Sequence, residues 1–463
     1  MMRCKNRETN QMVREIAALS WPTIIEQALQ TVVQFADTAM VGRIGAQASA
    51  CVGMTTSMTW LVNSPLFAMG VGVLATIARA CGAGDADTAK RAASQSVLMT
   101  LALGLALGAL TVAISPFLPG WLGAEESLRA DGAAYFAIIC APMLFRAGIV
   151  IFGAVLRATG DMKTPMTVNV MINVVNVVLN FFLIFETRTV SLLGVDVPLP
   201  GAGLGVLGAA AATAISYVLG GTMMFVKMMR SPSASPRGLG LHLDRRIMKE
   251  CVRIGAPVAL SRVGACLGQV VFSSQVTRLG TTALAAHSLA LTAEQAFYIP
   301  GYGMQAAAAT MCGNALGARD LKRLKRCART AVIMASGVMA ATGLILFLFP
   351  EFMMSLFTKD AQVIELGKSV LRIVAVSEPV FGASIILEGV FDGIGDTRTP
   401  LVISIATMWG VRILLTYLCV NVLHLGLSAV WCCMVLDNVT RGALLFARYA
   451  RGRWKQAVGL EAA

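Results

Sequence analysis

Thr23, Gln27, Gln30, Gln34 and Asp37 recur at spacings of 4, 3, 4 and 3 within an otherwise apolar stretch. On a helix that spacing stacks all five side chains along one face. A second stripe carries Asn169, Asn173, Asn176 and Asn180. A carboxylate among neutral amides and hydroxyls suits two kinds of chemistry. It can bind a hard monovalent cation, or it can take up and release a proton beside hydrogen-bond partners. The residues that compete for this role are Asp37, Asn176, Asn180 and Thr213.

The elements that position them are set by the solvent. Apolar residues make up 56% and charged residues 14% of 463, too greasy a composition for a water-soluble chain of several domains. Runs such as 97–116, 168–185, 331–349 and 400–423 are long enough to cross about 30 Å of hydrocarbon as helices. The alternating pattern of a membrane barrel is absent. We read an all-α integral membrane protein of 12 transmembrane helices, centred near residues 29, 63, 105, 145, 175 and 215, then 264, 298, 339, 378, 411 and 437. Asp37 then lies roughly 7 Å inside the outer end of the first span, and Asn180 lies about as deep in the fifth. Thr213, on the sixth, reaches a comparable level.

The chain is one module written twice. Residues 14–93 recur 235 positions later, matching Pro22 with Pro257, Arg43 with Arg278 and the 82–85 loop with 317–320. Gly160-Asp161 with Thr164-Pro165 becomes Gly395-Asp396 with Thr399-Pro400. The expected organisation is an N-lobe of six helices over 1–228, a cytoplasmic linker over 229–249, a C-lobe of six helices over 250–448 and a cytoplasmic tail over 449–463.

The net charge of +13 is an orientation signal. With the N-terminus inside, the inner loops carry Lys90, Arg91, Arg157, Lys163, Lys227, Arg230, Arg245, Arg246 and Arg253, the 319–329 cluster, Arg398 and the basic tail. The outer loops carry only Arg43, Arg129, Arg188, Arg278, Lys359 and Lys368. This asymmetry places both termini in the cytoplasm and argues against a nucleic-acid partner. No cleavable signal peptide is read at the start. The 11 cysteines form no CxxC pair, and no Cys/His spacing suits zinc. The glycines of 201–208 read as close helix packing.

Comparing the copies separates shared architecture from candidate function. The Gly-Asp-x-Lys/Arg-Thr-Pro and Gly-Ala-x-Asp loops occur in both and read as turns and helix caps. Asp37 maps onto Phe272, Glu26 onto Ser261, and Asn173, Asn176 and Asn180 onto Met408, Val411 and Leu415. The carboxylate–amide constellation therefore belongs to the first copy alone. The second copy places Arg262, Gln269, Glu294, Glu378, Arg412, Asp437 and Arg441 within apolar spans. Asp437 and Arg441, four apart, form a pair. Glu388, Asp392 and Arg398 read as a gate or anchor, and Glu294 precedes an expected helix break at 300–303. Met54, Met58 and Met69 read chiefly as core filling.

With these motifs in order, the chain resembles the multidrug and toxic compound extrusion (MATE) family over its whole length. The resemblance rests on 37–42 with Ile44-Gly45, on 82–85, on 156–161 with Thr164-Pro165, and on 294–303 and 395–400. It implies two six-helix lobes, outward- and inward-open states, and export driven by inward sodium or proton flow. The family's N-lobe cation site matches Asp37 on helix one, Asn176 and Asn180 on helix five and Thr213 on helix six. Asn180 departs from the family's aspartate, which removes one charge. Acidic ligands that some members carry on helices seven and ten have no counterpart at Gly264, Ala265 or Phe381, so coupling should rest on Asp37.

The expected function is a secondary antiporter, not an enzyme. It would export organic, amphipathic or cationic small molecules in exchange for protons or sodium ions. Glu26, Gln30, Gln34, Asn173, Tyr217, Arg262, Gln269 and Glu294 are the expected substrate contacts. No cofactor and no metal beyond Na+ at Asp37 is expected. A functional monomer in a bacterial inner membrane is the expected setting. The rival is a flippase or exporter of a lipid-linked or anionic metabolite, supported best by Arg146, Arg262 and Arg412.

Overall fold

Apolar runs of span length have one economical solution in hydrocarbon, the helix, because each amide finds its partner within its own segment. A computed structural model of the protein describes residues 2–192, 195–240, 242–452 and 454–457. The long helices are Met2–Gly42, Ala46–Gly82, Ala86–Ile114, Glu126–Cys140, Met143–Ala158, Lys163–Leu183 and Gly205–Met229. They continue as Arg245–Thr277, Thr281–Gly317, Leu321–Leu348, Ala361–Ala375, Glu378–Ile394, Arg398–Val422 and Leu427–Ala450. Each of the twelve expected centres falls inside one of these helices. Of the expected tail, residues 453 and 458–463 lie outside the described residues.

Among the described residues, eight helices are long and apolar enough to cross a membrane. Two bent pairs raise the number to ten: Glu126–Cys140 with Met143–Ala158, bent by 43°, and Ala361–Ala375 with Glu378–Ile394, bent by 56°. The remaining two centres fall in Met2–Gly42 and Thr281–Gly317. Their hydropathy is lowered by the polar groups of interest, Glu26 to Asp37 in one and Glu294-Gln295 in the other.

The 300–303 segment predicts a break, but Thr281–Gly317 runs through it with Pro300 inside the helix. A proline removes one ladder bond, which a helix packed among neighbours tolerates. Gly303 serves a different purpose. Its bare Cα lets the Ile24 backbone approach, and Thr23 Oγ1 donates to the Gly303 carbonyl. Helix Arg398–Val422 contains two π-helical segments, Met408–Ile413 and Leu418–Val422.

The chain forms two compact units. The larger comprises Met1–Ile24, Leu74–Asp85 and Cys251–Ala463; the smaller comprises Ile25–Val73 and Ala86–Glu250. Helices Met2–Gly42 and Ala46–Gly82 thus each contribute residues to both. In the larger unit, Gly82 packs on the carbonyl of Asn314, and Gly317 packs on the carbonyl of Arg79. No Cβ fits at either glycine. Both pairs are exchanged by the 235-residue offset. Between them, a Cβ added at Gly313 would come within 2.9 Å of the Ala78 side chain.

The duplicated loops are turns and caps. Gly160 (φ +88°) and Gly395 (φ +82°) turn the chain, with backbone that only glycine adopts without strain. Asp161 accepts from the Thr164 amide at 3.0 Å, and Asp320 accepts from the Arg323 amide at 2.8 Å. One element is not helical. Glu186–Leu192 and Val195–Ala202 pair antiparallel as a hairpin between the fifth and sixth spans. The next helix packs closely there, with Gly208 against the Leu183 carbonyl.

Candidate functional site

In the smaller unit, three helices converge on Asp37. Met2–Gly42 carries the carboxylate, Lys163–Leu183 carries the asparagines and Gly205–Met229 carries Thr213. The 3.6-residue period that stacks Asn176 over Asn180 puts both amides on one helix face. Asn180 Nδ2 donates to Asp37 Oδ1 at 2.6 Å and to Asn176 Oδ1 at 3.3 Å. Asn176 Nδ2 lies 3.2 Å from Thr213 Oγ1, which itself donates to the Ala209 carbonyl. Asn176 and Asn180 are 5% and 1% exposed, while Asp37 is half-buried.

The Asn176 amide can sit two ways. Its outer atom is 3.1 and 3.2 Å from the two Asp37 oxygens. A nitrogen there donates to an ionised carboxylate, and its carbonyl then accepts from Thr213. An oxygen there accepts from a protonated acid, or shares a cation with it. The amide orientation is therefore tied to what Asp37 carries.

A second cluster lies deeper along the same two helices. Glu26 Oε1 accepts from Arg157 Nη2 at 2.8 Å and from Asn169 Nδ2 at 2.9 Å. Glu26 is 7% exposed. Arg157, counted from sequence among the inner-loop charges, is the last-turn cation of helix Met143–Ala158, and its charge is spent on this buried pair. Nothing in the sequence links two residues 131 apart; only the unusual pair of charges in apolar surroundings marks them.

The remaining expected contacts are dispersed. Gln30 and Gln34 are exposed on the Asp37 face. In a bilayer an exposed amide is too costly against acyl chains, so this face borders water. Asn173 is half-buried, its Nδ2 without a partner. Tyr217 lies under the Arg146 guanidinium, 4.7 Å from the ring centre. Arg262 is exposed, Gln269 half-buried and Glu294 5% exposed; all three belong to the larger unit.

The larger unit has its own charge centre. Asp437, fully buried, pairs with Arg441 at 3.1 Å as its spacing predicts. It also pairs with Arg412 at 2.8 Å. Arg412 donates to Asn438 at 3.1 Å and lies 5.6 Å from the Phe272 ring centre. It sits in the first π-helical segment, a departure from α geometry that often re-aims functional side chains. Glu378 is fully buried, and neither carboxyl oxygen has a hydrogen-bond partner. Asp396, in the second copy's Gly-Asp loop, pairs with Arg448 at 3.4 Å. Among the described residues, no group of His, Cys, Asp or Glu is arranged to hold a metal ion.

A duplicated helical membrane fold with an acid–amide site inside one copy is that of a membrane transporter rather than an enzyme. Comparison with known proteins agrees. The sequence profile of the family described as MatE matches residues 22–182 and 257–418. The chain is 27% identical over 450 residues to "Probable multidrug resistance protein NorM" of Thermotoga maritima, covering 97% of this chain and 94% of that one. It is 23% identical to "Uncharacterized transporter YisQ" of Bacillus subtilis, covering 95% and 94%. A solved structure of MATE in complex with MaL6 superposes with a TM-score of 0.87 at 24% identity, covering 96% of both chains. The chain belongs to the MatE family of multi-pass membrane transporters. Its fold is the two-lobed helical fold of the solved MATE structures.

Proposed function

We propose that this transporter exports organic, amphipathic or cationic small molecules in exchange for protons or sodium ions. The setting is a bacterial inner membrane, with both termini in the cytoplasm and a monomer as the working unit. The observation that carries the reading is the contact of Asp37 with Asn180 and Asn176. When a proton or cation arrives, the charge of the half-buried Asp37 is neutralised and the Asn176 amide reverses. The hydrogen bonds that tie the first, fifth and sixth spans together then change partners. That gives the ion a different affinity for two packings of these helices, which is what coupling requires. The name of the Thermotoga maritima relative, a probable multidrug resistance protein, supports the substrate class.

Glu26, Gln30, Gln34, Asn173, Tyr217, Arg262, Gln269 and Glu294 are the side chains we assign to substrate. Exposed amides and half-engaged donors suit adaptable recognition better than a rigid anion clamp. The flippase alternative needs free basic charge. Of its three supporting arginines, Arg412 is ion-paired with Asp437 and Arg146 is stacked on Tyr217.

The test is transport of a fluorescent organic cation in proteoliposomes under an imposed proton or sodium gradient, with Asp37→Asn as the comparison. Gradient-driven transport that survives unchanged in Asp37→Asn refutes the coupling role. Failure to move any organic cation under either gradient refutes the substrate class.

A further inference from the structure

A cleft beside the linker carries an inference independent of the transport reading. Where it meets the start of helix Ala86–Ile114, the smaller unit contains a cleft of about 570 Å³. Three arginines, Arg91, Arg245 and Arg246, line it. All three arginines are exposed, and none takes part in an ion pair among the described residues. The cleft also has one acid, Asp244, but its carboxylate is already engaged. It caps the helix beginning at Arg245, accepting from the amides of Arg246 at 3.0 Å and Ile247 at 3.2 Å.

The cleft is built rather than incidental. Gln95, 2% exposed, donates to the His242 carbonyl at 2.7 Å and accepts from the Asp244 amide at 3.1 Å. These two bonds staple the linker to the third span and hold the arginines around one opening. Beside Gln95, Ser94 lines the cleft. It is 2% exposed, and its hydroxyl has no hydrogen-bond partner. A buried hydroxyl left unpaired in a cleft lined by three arginines is a donor waiting for an acceptor.

We propose that this cleft binds a phosphate-bearing anion, with the three guanidiniums supplying charge and Ser94 a hydrogen bond. Guanidinium forks match phosphate geometry. Two features favour a phospholipid headgroup over a free phosphate. The helix that carries Arg91 becomes an apolar span within two turns, which sets the cleft at headgroup depth. Leu239 and Leu243 lie on the same cleft, 40% and 59% exposed, where they would meet acyl chains.

The test uses the full-length transporter, purified in detergent and stripped of lipid. Native mass spectrometry and thermal shift follow titration with phosphatidylglycerol, phosphatidylcholine or inorganic phosphate alone. We expect phosphatidylglycerol to be retained as a one-to-one adduct and to raise the Tm, with a much weaker response to phosphatidylcholine. Arg91→Gln/Arg245→Gln/Arg246→Gln should weaken it by about two orders of magnitude, and Arg91→Gln alone, at an exposed helix position, by about fivefold. Leu243→Ser should weaken the lipid and leave inorganic phosphate unaffected. If inorganic phosphate stabilises as strongly as the lipid, the site stands and its ligand is a soluble phosphate. Equal retention of phosphatidylglycerol by wild type and both arginine variants, or an equal response to phosphatidylcholine, overturns the proposal.

Discussion

Asn180 donates a 2.6 Å hydrogen bond to Asp37 across 143 residues of sequence. The carboxylate is thus solvated by amides rather than facing a second charge. On the proposed reading a single proton or ion meets a single carboxylate, which sets the sign of the first two predictions.

Asp37→Asn should lower gradient-driven export by at least about tenfold, the scale of a lost coupling energy. Binding of the organic cation, measured by fluorescence quenching in detergent, should persist. Loss of binding together with transport would instead show that Asp37 holds the substrate.

Asn180→Asp places a second charge beside Asp37. Na+ affinity, measured by titration calorimetry, should rise by at least about tenfold through the added Coulomb attraction. No change would show that the helix-five side chain does not face the ion.

Asp437→Asn leaves Arg412 and Arg441 buried without their shared carboxylate. Breaking a buried pair in this way costs about 3–5 kcal/mol. The expected result is a marked fall in the Tm of the purified protein. A Tm unchanged from wild type would place these arginines in contact with water.

Gly317→Val should be destabilising by about 1–3 kcal/mol, because a side chain there collides with the Arg79 backbone. Gly337→Ala, on a helix face with nothing within 4 Å, should be neutral or stabilise by up to about 1 kcal/mol. Denaturation of the two variants side by side checks the opposite signs.

The twelve span centres and the convergence of Asp37, Asn176, Asn180 and Thr213 were legible because both follow from helical period and depth, which are local properties. Glu26–Arg157 was not, since a residue at the end of a span reads equally as a loop cation. Arg412 as the second partner of Asp437 was hidden for a related reason: only the four-residue spacing to Arg441 is visible along the chain. The hairpin Glu186–Leu192/Val195–Ala202 is masked in the sequence because composition weights every apolar stretch toward helix. The alternating Thr189, Val190, Ser191 and Leu192 held its signal. The helix through Pro300 shows that a turn-forming sequence yields when neighbours supply the packing.

The crossing of Gly82 over Asn314 and of Gly317 over Arg79 is an isologous contact, the kind a twofold dimer makes, in which each partner gives and receives the same patch. Here both partners lie on one polypeptide. A bulky residue arising in either copy would spoil a joint that the other copy also completes. The two halves are therefore not free to diverge at this point, even though Asp37 shows that they have diverged elsewhere. The protein retains, inside a single chain, the self-complementary seam of a homodimer.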